Sequence, residues 1–87
     1  MTIYLRLVLR AHTNAVQKVI FSPDGKSLLS AAWDQTVRLW SLEGRLLQTL
    51  PGFSRPLYAL AWSPRGILAV GSGTAARGGT ISLFHLR

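Results

Sequence analysis

Two segments, Phe21-Ser22-Pro23-Asp24-Gly25 and Trp62-Ser63-Pro64-Arg65-Gly66, decide how this chain is to be read. They share an aromatic-Ser-Pro-x-Gly pattern and lie 41 positions apart. A Pro-Asp-Gly group after a β-type run marks a tight turn. Its return at a period near 40 marks a repeat architecture, in which each copy is one supersecondary unit.

Outward from these turns, nearly every segment reads as strand. Residues 16–21 form a β-type run ending at the first turn. Residues 28–32 are short, apolar and small, as a buried central strand would be. Asp34-Gln35 fits a tight turn, residues 36–40 a further strand, Glu43-Gly44 another turn, and residues 45–50 the next strand. The second copy follows the same plan, with strands at 56–62, 67–71 and 80–84, and residues 73–79 as a longer loop. Upstream, Ile3, Leu5, Leu7 and Leu9 alternate with Thr2, Tyr4, Arg6 and Arg10 at period two. Short strands with turns every eight to twelve residues predict an antiparallel all-β fold.

Composition sets the outer limits. With 87 residues, 48% of them apolar, the chain can build one small domain at most and is not disordered by composition. It contains no cysteine, which excludes disulfides and thiolate metal sites and suits a reducing compartment. Its apolar runs are broken by Arg or Gly well short of a membrane-spanning length of about 18 residues. The first ten residues lack the long apolar core and cleavage site of a secretion signal. The cytoplasm is the expected location. Two His and few acids offer no plausible metal site, and no cofactor is expected.

The net charge is +7, from ten Lys/Arg against three Asp/Glu, and residues 51–87 hold no acid. That balance favours anionic partners such as nucleic acid. The basic residues are scattered rather than clustered, which equally fits a solvated surface.

The combined motifs resemble the WD-repeat family of β-propellers. Residues 12–50 carry the resemblance closely. Ala11-His12 stands at the family's Gly-His, followed by the Ser-Pro-Asp-Gly turn and Trp33-Asp34-Gln35-Thr36-Val37-Arg38-Leu39-Trp40. The Asp that usually follows the last Trp is Ser41 here. Residues 51–87 match degenerately, with Phe53 at the His position, Val70 at the Ser position and Phe84 at the Trp position.

The resemblance implies two antiparallel four-stranded blades, the second lacking its outer strand. Residues 3–10 are then a spare outer strand of a preceding or partner blade. The chain divides into 1–10, a complete repeat over 11–50 and an incomplete one over 51–87. It also implies that His12, Ser30, Asp34 and Trp40 form a buried hydrogen-bond chain. The alternative for His12, Ser30 and Asp34 is a hydrolytic triad, but the sequence lacks the strained nucleophile turn of such enzymes. A structural role is expected, with no catalytic residue.

By the same resemblance, Ala15, Gln17 and Trp33 of the first copy occupy positions that face partners, as do Pro56 and Tyr58 of the second. Trp33 could instead cap the blade end. Arg77, in the Gly-rich loop, could reach an anion. That loop lacks the lysine and following helix of a phosphate-binding loop. Phe21 and Trp62 are expected to pack between blades, Phe84 to fill the Trp position in the core, and His85 to be solvated.

Two blades alone would leave apolar faces bare, and propellers typically have four to eight. The chain is therefore expected to be part of a longer propeller or a subunit of a head-to-tail ring. Three copies would give six blades and four would give eight. A non-catalytic scaffold for protein partners is the function expected, with an anion- or nucleic-acid-binding module as the alternative.

Overall fold

The computed structural model describes residues 1–51, 53, 57–74 and 78–85. It contains seven strands and, among these residues, no helix: β1 Val16–Phe21, β2 Ser27–Ala32, β3 Val37–Ser41, β4 Leu46–Leu50, β5 Leu57–Trp62, β6 Ile67–Thr74 and β7 Gly78–His85. They form two antiparallel meanders, a four-stranded sheet in the order β1-β2-β3-β4 and a three-stranded sheet in the order β5-β6-β7.

The turns fall where the sequence places them. Gly25 and Gly66 both take positive φ, at 74° and 86°, and each donates its N–H to the serine carbonyl three residues before it. Glycine adopts this left-handed conformation at no steric cost. In the first copy the Ser22 and Asp24 side chains also bond into the turn, and Ser22 N–H meets the Ser27 carbonyl. In the second copy Ser63 N–H meets the Ile67 carbonyl, so that turn is one residue shorter.

Period-two alternation assigns each strand two faces. In the first sheet Ile20, Leu29 and Leu39 lie side by side across the ladder, and Phe21, Leu28 and Trp40 lie on the opposite face. In the second sheet Trp62, Leu68 and Phe84 align, as do Leu60 and Val70 with Ser82. The core forms where the Leu29 face of the first sheet meets the Trp62 face of the second. Leu29, Val37, Leu57, Leu68 and Val70 are fully buried, with Ile20, Leu39, Leu50, Phe53, Trp62 and Phe84 packed around them. Each such side chain contributes about 2 kcal/mol by leaving water.

Residues 3–10, expected as the outer strand of a preceding or partner blade, pair with neither sheet here. Two expectations need correction. The loop expected over residues 73–79 has strand at both its ends: Gly73 pairs with Gly79 and Thr74 with Gly78, extending the β6–β7 ladder. The glycines permit a close approach of the two backbones, since a Cβ on Gly73 would collide with the Gly78 backbone. Finally, Phe21 is 64% exposed, while its repeat equivalent Trp62 packs against the core. Phe21 lies on the outer face of the first sheet, and among the described residues no further sheet covers that face.

Candidate functional site

The end of the first sheet where β2 turns into β3 brings together residues far apart in sequence. His12 reaches it from the segment before β1, Ser30 from β2, Asp34 from the β2–β3 turn and Trp40 from β3. The turn is closed by bonds from Ala32 N–H to the Thr36 carbonyl and from Gln35 N–H to the Ala32 carbonyl. Gln35 sits at φ 69°, a left-handed conformation unfavourable for a residue with a Cβ.

The bonding order follows from the one group that can only donate. The Trp40 indole N–H donates to Ser30 Oγ over 2.9 Å. Ser30 O–H then donates to His12 Nε2 at 2.7 Å. His12 Nδ1–H donates to Asp34 Oδ2 at 2.9 Å. Asp34 also accepts from the Thr13 N–H at 3.0 Å, the Thr36 N–H at 3.1 Å and the Thr36 hydroxyl at 2.7 Å. The four residues named from the sequence are thus one continuous chain of hydrogen bonds. Among the described residues, no buried side-chain nitrogen or oxygen is left without a partner.

Burial pushes the Asp34 carboxyl up, but the bonds from the Thr36 hydroxyl, His12 and the two backbone N–H groups outweigh it. They hold the carboxyl at about 2, against 3.8 ordinarily. Thr13 and Thr36 were not singled out in the sequence. The Asp-x-Thr spacing at 34–36 was the available signal, because an Asp side chain bonds its own backbone two residues on.

Ser30 is 5% exposed. Beside it lies a cleft of about 110 Å³ walled by Leu9, Val16, Val19, Leu28 and Trp40. That is well below the roughly 300 Å³ at which ligand pockets begin. A larger groove of about 740 Å³ opens between the two sheets at the opposite end, by the Ser-Pro turns, with Trp62, Leu39 and Phe84 in its wall. Among the described residues, no three His, Cys, Asp or Glu side chains gather as a metal site would require.

The surface candidates divide. Trp33 is 42% exposed, and its N–H donates to the Ala15 carbonyl at 3.0 Å, so the two residues sit side by side at the sheet's end. Gln17, exposed, is the extra residue of a β-bulge between β1 and β2. Tyr58 occupies the same bulge position between β5 and β6. A bulge re-aims a side chain and increases local twist, and neither bulge was foreseen. Pro56 and Arg77 lie outside the described residues.

The family model described as "WD domain, G-beta repeat" matches residues 4–41 and 44–85. Among curated proteins, the chain is 38% identical over 76 residues to WD repeat and SOCS box-containing protein 1 of Xenopus tropicalis, covering 82% of this chain and 18% of that protein. It is 35% identical over 63 residues to the nuclear distribution protein PAC1 of Yarrowia lipolytica, covering 70% and 14%. It is 36% identical over 76 residues to a WD repeat-containing protein 26 homolog of Arabidopsis thaliana, covering 80% and 13%. The chain thus spans less than a fifth of the length of each of these relatives.

Proposed function

Because this chain belongs to the WD-repeat family, we propose that it is a non-catalytic scaffold for protein–protein contact in the cytoplasm. It would be a partial propeller whose partner surface lies at the β2–β3 turn end of the first sheet. The observation that carries this reading is the division of labour at that end. The polar side chains of His12, Ser30 and Asp34 are engaged internally. Trp33, Ala15 and Gln17 beside them are exposed. A half-exposed Trp on a rigid strand end is the kind of residue that dominates binding energy at interfaces.

A hydrolytic reading finds no support in this arrangement. Its nucleophile would be Ser30, whose hydroxyl is bonded on both sides and buried beside a cleft too small for a substrate. Here the His12–Ser30–Asp34–Trp40 chain locks the segment before β1 to the β2–β3 turn. Satisfied buried networks of this kind rigidify a fold. Tyr58, Pro56 and Arg77 are proposed as further contact residues from the second repeat.

The test is cross-linking mass spectrometry with the chain in cell lysate, followed by titration calorimetry on the purified partner. Trp33→Ala and Gln17→Ala should weaken binding tenfold or more with the melting temperature nearly unchanged, as roughly 1.4 kcal/mol per decade requires. A partner whose affinity is indifferent to both substitutions would overturn the reading.

A second reading rests on charge. Among the described residues, the pair between His12 and Asp34 is the one contact within 4 Å between a basic side chain and a carboxylate. The described Lys and Arg charges are therefore not neutralised by ion pairs within the chain. An anisotropy titration with an oligonucleotide at two salt concentrations tests it, since phosphate contacts make affinity fall steeply with salt.

A further inference from the structure

The three acidic side chains of this chain are Asp24, Asp34 and Glu43. Asp24 lies in the β1–β2 turn and Glu43 in the β3–β4 turn, both exposed. Successive turns of an antiparallel meander alternate between the two ends of its sheet, so both stand at the end opposite Trp33. Asp34 alone shares the Trp33 end. Its side chain is 5% exposed, and its oxygens accept from His12, Thr13 and Thr36. Residues 51–87 hold no acid, so the second sheet adds none. Among the described residues, which include all three acids, no side-chain carboxylate faces solvent at the Trp33 end.

Cations bracket the same end. Lys18 follows the bulge residue Gln17 in β1 and pairs with the core residue Ala31, which places it, exposed, on the core side of the sheet. It stands three residues from Ala15, whose carbonyl holds the Trp33 N–H, or about 10 Å along a strand. Arg38 pairs with Ser30 on the opposite face, and its Nε–H donates to the Thr36 hydroxyl at 3.4 Å. Arg10, exposed, precedes His12 by two residues, a span of at most about 7 Å. Asn14 adds a neutral donor: its Oδ1 accepts from the Ala15 N–H at 2.7 Å, so what it has left to offer is its amide N–H groups. The far end, by contrast, carries Lys26, Arg45 and Arg65 in the same turns as, or beside, Asp24 and Glu43, and has no single sign.

Resting on the scaffold reading of the Trp33 surface, we infer that its partner is an acidic peptide segment with an apolar side chain among its carboxylates. The apolar side chain packs on Trp33 and Ala15, and the flanking carboxylates meet Arg10, Lys18 and Arg38. Complementarity of this kind steers encounter and suppresses wrong partners, because like charges across an interface repel. A basic segment would meet three cations and no carboxylate. A nucleic acid fits less well. Double-stranded DNA carries a charge about every 1.7 Å of its axis, whereas these cations lie on different faces of the sheet around an apolar centre rather than along one row.

The experiment is fluorescence anisotropy on the whole chain with three labelled probes. One is a short peptide with a central Leu-Phe pair flanked by Asp and Glu, one is the same peptide with Lys for every acid, and one is a single-stranded oligonucleotide of equal charge. The acidic peptide should bind at least tenfold more tightly than the Lys peptide, and less tightly as salt rises. Arg10→Glu/Lys18→Glu should weaken it tenfold or more, as should Trp33→Ala. Lys26→Glu/Arg65→Glu, which makes the same change in net charge at exposed positions of the far end, should change it little. Melting temperatures near the wild-type value show that both double variants are folded. Equal weakening by the two double variants overturns the proposal, as does an acidic peptide that fails to bind. So does an oligonucleotide that binds as tightly with the same dependence on Trp33. A Lys peptide held more tightly through Trp33 overturns the acidic preference and leaves the scaffold reading standing. Acidic-peptide binding indifferent to Trp33→Ala and Gln17→Ala overturns both.

Discussion

The rings of Phe53 and Phe84 meet edge to face, with centroids 5.9 Å apart and planes at 71°. Phe53 stands at the repeat position of His12 and Phe84 at that of Trp40, while Val70, buried, replaces Ser30. The second sheet therefore fills with an aromatic contact the place where the first sheet runs a chain of hydrogen bonds. Replacing every member of a buried polar set by apolar groups of similar shape is energetically tolerable, whereas replacing one is not. The two repeats follow that rule.

His12→Ala removes one member and strands the rest. Ser30 loses its acceptor and Asp34 loses a donor, so stability should fall by about 1–3 kcal/mol. Urea unfolding monitored by tryptophan fluorescence checks this, and an unchanged midpoint would count against the lock.

Phe53→His makes the converse error. The second sheet has valine and phenylalanine where the first offers Ser30 and Trp40, so the imidazole gains no partner there. The variant should be destabilised by about 1–3 kcal/mol, as for an unpaired polar group, and should be no more stable than Phe53→Leu. Thermal melts of the two variants side by side decide it.

Asp34 gives the fold an acid-labile element. Its folded value of about 2 lies below the ordinary 3.8, so the unfolded chain takes up the proton first as pH falls. The stabilisation is present in full above about pH 5 and is lost as pH falls through 3.8 towards 2. Asp34→Asn should be less stable near neutrality and should show a flatter stability profile across that window. Parallel profiles for the two proteins would contradict the assignment.

Gln35 holds a positive φ without being glycine. Gln35→Gly should relieve that strain and stabilise the chain by up to about 1 kcal/mol, read as a higher melting temperature. The gain is limited because glycine also widens the unfolded ensemble.

Much of this was legible in the residues, for identifiable reasons. β1 is Val16–Phe21, as read from the sequence, and β3, Val37–Ser41, is shifted by one residue from the 36–40 read there, because strong turn signals flank apolar runs at both places. The His12–Ser30–Asp34–Trp40 set was legible through the resemblance to the WD-repeat family, whose positions these residues match. The extension of β6 and β7 was not, since Gly73, Gly78 and Gly79 suit a loop or a close ladder equally, and only the opposite strand decides between them. The bulges at Gln17 and Tyr58 were hidden for a similar reason. A bulge is a mismatch between two strands, and a single strand carries no count of its partner's residues.

The contrast between the two sheets has a mechanical consequence. Hydrogen bonds weaken steeply when bent, whereas edge-to-face rings keep their attraction across centroid separations from 4.5 to 7 Å. The first sheet therefore behaves as a stiff joint, with its loop fixed at one angle. The Phe53–Phe84 contact behaves as a compliant one, able to roll a little as neighbouring surfaces settle. A load applied across the chain would be absorbed at the second sheet first, leaving the Trp33 end of the first sheet in place.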